Sequence, residues 1–89
     1  MTYDRIVIWT SPTEPFQKIY VFKDGAQVDQ FGIQVSELNE ILPALIEKYN
    51  INRLDFSGSH VYAEGLIEQF KNSTPNLRFG LNDIRINIV

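Results

Sequence analysis

The side chains of this chain that carry chemistry fall into three groupings. The first is Ser57-Gly58-Ser59-His60, where small residues follow an apolar strand and precede an apolar-periodic segment. A strand, a glycine turn and a helix start present free backbone amides, which suit phosphate or carboxylate. With Asp83 nearby, this stretch is a candidate ligand edge. The same residues also serve as a plain turn, with Ser59 as the helix cap. His60 directly follows Ser59, but sequence neighbours at a helix start diverge, which argues against a nucleophile and base pair. The second grouping is carboxylate: Asp55 within a strand, with Asp83 and Glu14 in loops. A divalent cation needs oxygen ligands from several segments, whereas the simpler reading pairs Asp55 with arginine. The third is Arg5, Arg53, Arg78 and Arg85 together with the single tryptophan, Trp9. Arginine and tryptophan are enriched where proteins bind one another.

Composition removes several classes. The chain has no cysteine, so disulfides, thiolate zinc sites and cysteine nucleophiles are excluded. One histidine and no helical ligand spacing leave no metal site and no cofactor to name from the sequence. Net charge is −3, which argues against broad attraction to nucleic acid or to an anionic membrane. No stretch approaches the ~20 apolar residues of a membrane span, and the N-terminus lacks the pattern of a signal peptide. The expectation is a cytoplasmic protein with no membrane association.

The elements that position these groups follow from periodicity. Residues 1–89 form a single domain, and a chain this short buries only roughly 60 to 65% of its unfolded surface. Ile6-Val7-Ile8-Trp9 reads as a strand, and Pro12 and Pro15 end it. Phe16 to Phe22 and Gln27 to Ile33 read as two more strands around the turn signal Asp24-Gly25, with two-residue and three-residue loops both compatible. Ser36 reads as an N-cap before Leu38, Ile41, Leu42, Leu45, Ile46 and Tyr49, one stripe of an amphipathic helix. Pro43 either kinks that helix or breaks it. Arg53 to Ser57 is a strand, and Val61 to Lys71 a helix with Tyr62, Leu66, Ile67 and Phe70 inward. Leu77 to Leu81 alternates as a strand. Ile84 to Val89 either folds back through Asn82-Asp83, the preferred reading, or continues past a bulge.

The fold class expected is α/β (α+β): a two-layer sandwich whose mixed sheet of five to six strands runs βββαβαβ(β), with both helices on one face. The opposite face is left bare. Strand parity places Arg5, Val7, Trp9, Arg53, Asp55, Ser57, Arg78, Gly80, Arg85 and Asn87 on it, and Tyr20 and Phe22 extend such a patch. Five of the six glutamates lie in helical segments, so the two faces should differ in sign.

This element order resembles the ribonuclease-H-like fold of nucleases, junction resolvases and, duplicated, actin-like ATPases. Family enzymes carry an essential aspartate in the first strand, where this chain has Ile8, Trp9 and Thr10. The glycine-containing phosphate hairpin of the actin-like members is replaced by Thr10-Ser11-Pro12-Thr13-Glu14-Pro15. The resemblance implies a reduced, catalytically silent relative. From the residues themselves the expectation is a non-enzymatic protein-binding or self-assembling module, a homo-oligomer with a dimer favoured. It uses the bare face, through Arg5, Trp9, Arg53, Asp55, Arg78 and Arg85, or the C-terminal strand. The alternatives are nucleic-acid binding through the arginines and Trp9, and a metal-dependent hydrolase using Asp55 with Asp83 or Glu14.

Overall fold

The structure is a computed structural model and describes residues 4–14, 16–79 and 83–89. Five strands form one sheet: β1 (Arg5–Thr10), β2 (Gln17–Lys23), β3 (Ala26–Ile33), β4 (Arg53–Gly58) and β5 (Arg85–Ile88). Two helices, α1 (Leu38–Tyr49) and α2 (His60–Ser73), complete the fold. The spatial order is β3-β2-β1-β4-β5, with β1 central, antiparallel to β2 and parallel to β4. β4 and β5 are also parallel, so the crossovers through α1 and α2 lie on one side of a mixed sheet. The expected two-layer architecture is therefore present.

Alternation decides which side each strand shows the helices. Ile6 and Ile8 of β1, Ile19 and Val21 of β2, and Leu54 and Phe56 of β4 are fully buried. They meet Leu38, Leu42, Leu45 and Ile46 of α1 and Ala63, Leu66 and Phe70 of α2 in one core. Ile41, Tyr49, Tyr62 and Ile67 pack on its rim, as the stripes required. α1 runs unbroken through Pro43, which sits on its partly exposed side, so the alternative of a broken helix falls. Asp24 and Gly25 both hold positive φ, at 54° and 81°, and Lys23 pairs with Ala26. The loop is therefore the two-residue one, whose twist matches the flanking strands.

Two expectations need correction. Ser36 is not the cap of α1; it lies inside a 3₁₀ turn, Val35–Glu37. That turn is closed at Gln34, whose carbonyl accepts from the Glu37 amide at 2.9 Å while its amide donates to Glu37 Oε1 at 3.2 Å. The glutamate three residues on thus satisfies the Gln34 amide, the reciprocal half of a capping box. The strand expected over Leu77 to Leu81 does not form at 77–79, and 80–81 lie outside the described residues. Arg85 to Ile88 takes the place beside β4 instead, anchored by Arg85 N–H to Asn52 O and Val89 N–H to Phe56 O, both 2.8 Å. Phe79 finds cover elsewhere, edge-on against Phe70 of α2 with ring centroids 5.8 Å apart. Phe79 and Ile84 bridge in parallel, where a fold-back hairpin would pair them antiparallel, and Asn82 of the expected turn lies outside the described residues. Both segments alternate, and alternation says only that one face is covered, not whether a sheet or a helix covers it.

Candidate docking face

The side of the sheet away from α1 and α2 carries Arg5, Val7 and Trp9 from β1, and Arg53, Asp55 and Ser57 from β4. Lys18, Tyr20 and Phe22 come from β2, and Arg85 and Asn87 from β5. The β1–β2 register sets Arg5 opposite Phe22, Val7 opposite Tyr20 and Trp9 opposite Lys18. Directly opposed side chains on one face are within reach of each other. The Arg5 guanidinium accordingly lies 5.1 Å from the Phe22 ring centre, and Lys18 Nζ 5.2 Å from that of Trp9. Each cation sits within the range at which a ring face attracts it. The face is therefore a row of rings and cations held by the ladder.

Asp55 is the anchor of this face and is wholly buried. Its Oδ2 accepts from Arg5 Nη1 at 3.2 Å, and its Oδ1 from Arg53 Nε at 3.0 Å and Asn87 Nδ2 at 3.1 Å. One carboxylate thus ties β1, β4 and β5 together, and its burial is matched by charge-assisted bonds on both oxygens. These three donors already occupy the carboxylate that the metal-dependent alternative puts at its centre. Among the described residues no group of three or more His, Asp or Glu is placed to hold a metal. Glu14 follows β1, at the far end of the sheet from Asp83, which precedes β5.

Asp83 also separates from the ligand edge to which it was assigned. The sequence reading set it after a strand at 77–81; it precedes a strand parallel to β4, so it lies at the opposite end from Ser57, Gly58, Ser59 and His60. That edge itself is tied to β1. Thr10 Oγ1 donates to Ser57 O at 2.8 Å, and the Ser59 amide donates to Thr10 O at 3.3 Å, which consumes a donor that an anion would need. Gly58 holds φ +98°, and a Cβ there would stand 2.0 Å from Thr10 O. Ser59 occupies the cap position of α2 but makes no side-chain cap bond. His60 Nε2 lies 3.0 Å from Glu64 Oε1, an exposed pair one helical turn apart, and not on Ser59.

Arg78 stands outside the sheet, with its carbonyl accepting from Ile84 N–H at 3.0 Å, so the face is built without it. Gly80 lies outside the described residues. Sequence reasoning missed Gln17, which is fully buried on the core side of β2. Its Oε1 accepts from Ser11 N–H at 2.8 Å and its Nε2 donates to Ser11 O at 3.2 Å and Glu14 O at 3.4 Å. A polar residue in phase with Ile19 and Val21, next to a proline loop, was the available signal. At the other end of the sheet, Arg5, Phe22, Gly25 and Arg53 line a concavity of about 360 Å³.

Charge separates the two sides. Glu37, Glu40, Glu47, Glu64 and Glu68 are exposed in or beside the helices, against Lys48 and Lys71. Among the described strand residues, the bare face holds Arg5, Lys18 and Arg53, with the buried Asp55 between the two arginines.

No family model and no curated protein matches this chain. Among solved structures it is similar to a Bacteroides thetaiotaomicron protein described as having an actin-like ATPase fold and unknown function. The TM-score is 0.62 at 15% identity, covering 97% of this chain. The likeness is one of fold. This chain spans 32% of the length of that protein. Among the described residues no helix is long and apolar enough to cross a membrane.

Proposed function

We propose that this chain is a non-enzymatic self-assembling module whose bare sheet face docks on the helical side of a second copy. The observation that carries the reading is the opposition of sign between the two sides, with Val7, Trp9 and Tyr20 at the middle of the cationic face. Opposed potentials attract and orient partners, while half-exposed rings supply apolar area once water leaves. A two-fold dimer joining two bare faces sets Arg5, Lys18 and Arg53 against their own copies. A head-to-tail contact sets them against glutamates instead.

Nucleic acid is the weaker partner for the same face. Stacking on a base requires a free ring face, and Lys18 already lies over Trp9, the chain's one indole. The helical side would meanwhile repel phosphate.

Sedimentation equilibrium from micromolar to millimolar concentration tests the reading. Association that weakens with salt, and is lost in Lys18→Glu and Trp9→Ala, supports it. A monomer throughout, or association indifferent to both substitutions, overturns it.

A further inference from the structure

We infer that the concavity lined by Arg5, Phe22, Gly25 and Arg53 is a binding site for a small organic phosphate monoester, whose oxygens match the arginine forks. The site shares Arg5, Phe22 and Arg53 with the face proposed to dock, so ligand and second copy compete for it and the titration is run at a micromolar concentration where the chain is monomeric. It lies at the N-terminal ends of β1 and β4, away from the Ser57 to His60 turn.

The donors are the first argument. A guanidinium has five N–H groups in a rigid fork. Arg5 meets Asp55 with Nη1 alone and Arg53 meets it with Nε alone, so each keeps further donors beyond that carboxylate. The two side chains are 38% and 42% exposed, while Asp55 is completely buried, so the cations and not the anion face the concavity. Asp55 acts here as a spacer, fixing both guanidinia on one carboxylate and so removing part of the ordering that a ligand would otherwise impose. Arginine forks match the geometry of phosphate and carboxylate oxygens.

Charge and shape supply the rest. Two guanidinia exceed the one carboxylate between them, so the concavity favours an anion. Phe22 gives the concavity an apolar wall, already fixed by Arg5 over its ring, against which the organic part of an ester lies. Gly25 forms the rim. A Cβ built there meets nothing within 4 Å, so the backbone of the turn leaves the entrance open.

The experiment is an amide and arginine-side-chain NMR titration of the full chain with inorganic phosphate, phenyl phosphate and acetate, against chloride at equal ionic strength. Saturable shifts confined to Arg5, Phe22, Gly25 and Arg53 are expected, with phenyl phosphate binding at least about 3-fold tighter than phosphate, and acetate weakest. Gly25→Asp places a carboxylate at the rim without touching either arginine, in a residue type that tolerates positive φ. It should weaken phenyl phosphate about 10-fold, whereas the neutral Gly25→Asn should weaken it by less than about 3-fold. Arg5→Lys with Arg53→Lys keeps the charge and removes the forks, and should also reduce affinity by about 10-fold. Shifts that chloride reproduces, that spread over the whole bare face, or that survive Gly25→Asp and the double lysine variant would show an adventitious ion only and overturn the assignment.

Discussion

Replacing Gly58 by alanine probes the joint between β1 and β4 beside the candidate ligand edge. Gly58 has φ +98°, a conformation that disfavours a side chain by about 1 to 2 kcal/mol. The new Cβ would stand 2.0 Å from Thr10 O, well short of the 3.4 Å at which ordinary contact begins. The obstacle is backbone at the end of the central strand, so it cannot rotate aside. Relief means separating the two strand ends, and that loosens Ser59 N–H to Thr10 O and Thr10 Oγ1 to Ser57 O, each worth about 1 kcal/mol. The sum is about 3 to 4 kcal/mol. A chain of 89 residues has a total stability of about 4 to 13 kcal/mol, so the loss is a large fraction of it. In urea, with a slope of about 1 kcal/mol per molar, the unfolding midpoint should fall by about 3 M. Gly25→Ala is the internal control: φ is +81° there but nothing lies within 4 Å, so only the backbone term applies. If Gly58→Ala destabilises no more than Gly25→Ala, the two strand ends are not in contact and the tie between them is wrong.

Asp55→Ala should cost about 2 to 3 kcal/mol in urea unfolding. That is below the 3 to 5 kcal/mol of a fully buried pair, because Arg5 and Arg53 regain water once freed. Less than about 1 kcal/mol would show that the carboxylate does not tie the three strands. The Asp4 carboxyl is held below its ordinary value of 3.8 by the Asp24 amide first and by Lys23 second. A depressed carboxylate contributes stability that is present above its unfolded value and is lost as pH falls through its folded value. The Asp24 amide resonance should therefore move toward its Asp4→Asn position in acid below about pH 3.8. A resonance that titrates identically in Asp4→Asn contradicts the tether.

The helices and inner strands were legible because Leu38 to Tyr49 and Ile6 to Ile8 each meet one periodicity and one cover. The bare face was legible for the same reason: parity alone put Arg5, Trp9, Arg53 and Asp55 on one side, and crossover handedness put both helices on the other. What parity lacks is the identity of a neighbour. It could not tell that Leu77 to Phe79 leaves the sheet while Arg85 to Ile88 joins it, since each shows the same alternation. That misplacement carried Asp83 to the wrong end and Arg78 onto the wrong surface. Nor does spacing reveal that Thr10 and Ser59 bond to each other, because the contact joins strands separated by α1. The concavity escaped for a related reason: Gly25 and Arg53 are brought together only by the folded hairpin.

Trp9 is the chain's one indole and lies half-buried on the bare face, so its fluorescence reads that surface without a label. The decisive measurement is its emission and its quenching by acrylamide while the protein is diluted from millimolar to micromolar. If the face docks on the helical side of a second copy, Trp9 is shielded and blue-shifted at high concentration. It then becomes accessible and red-shifted on dilution, with the midpoint moving to higher protein concentration as salt is added. Emission and quenching unchanged across that range would mean that nothing covers the face, and the proposed assembly would be wrong.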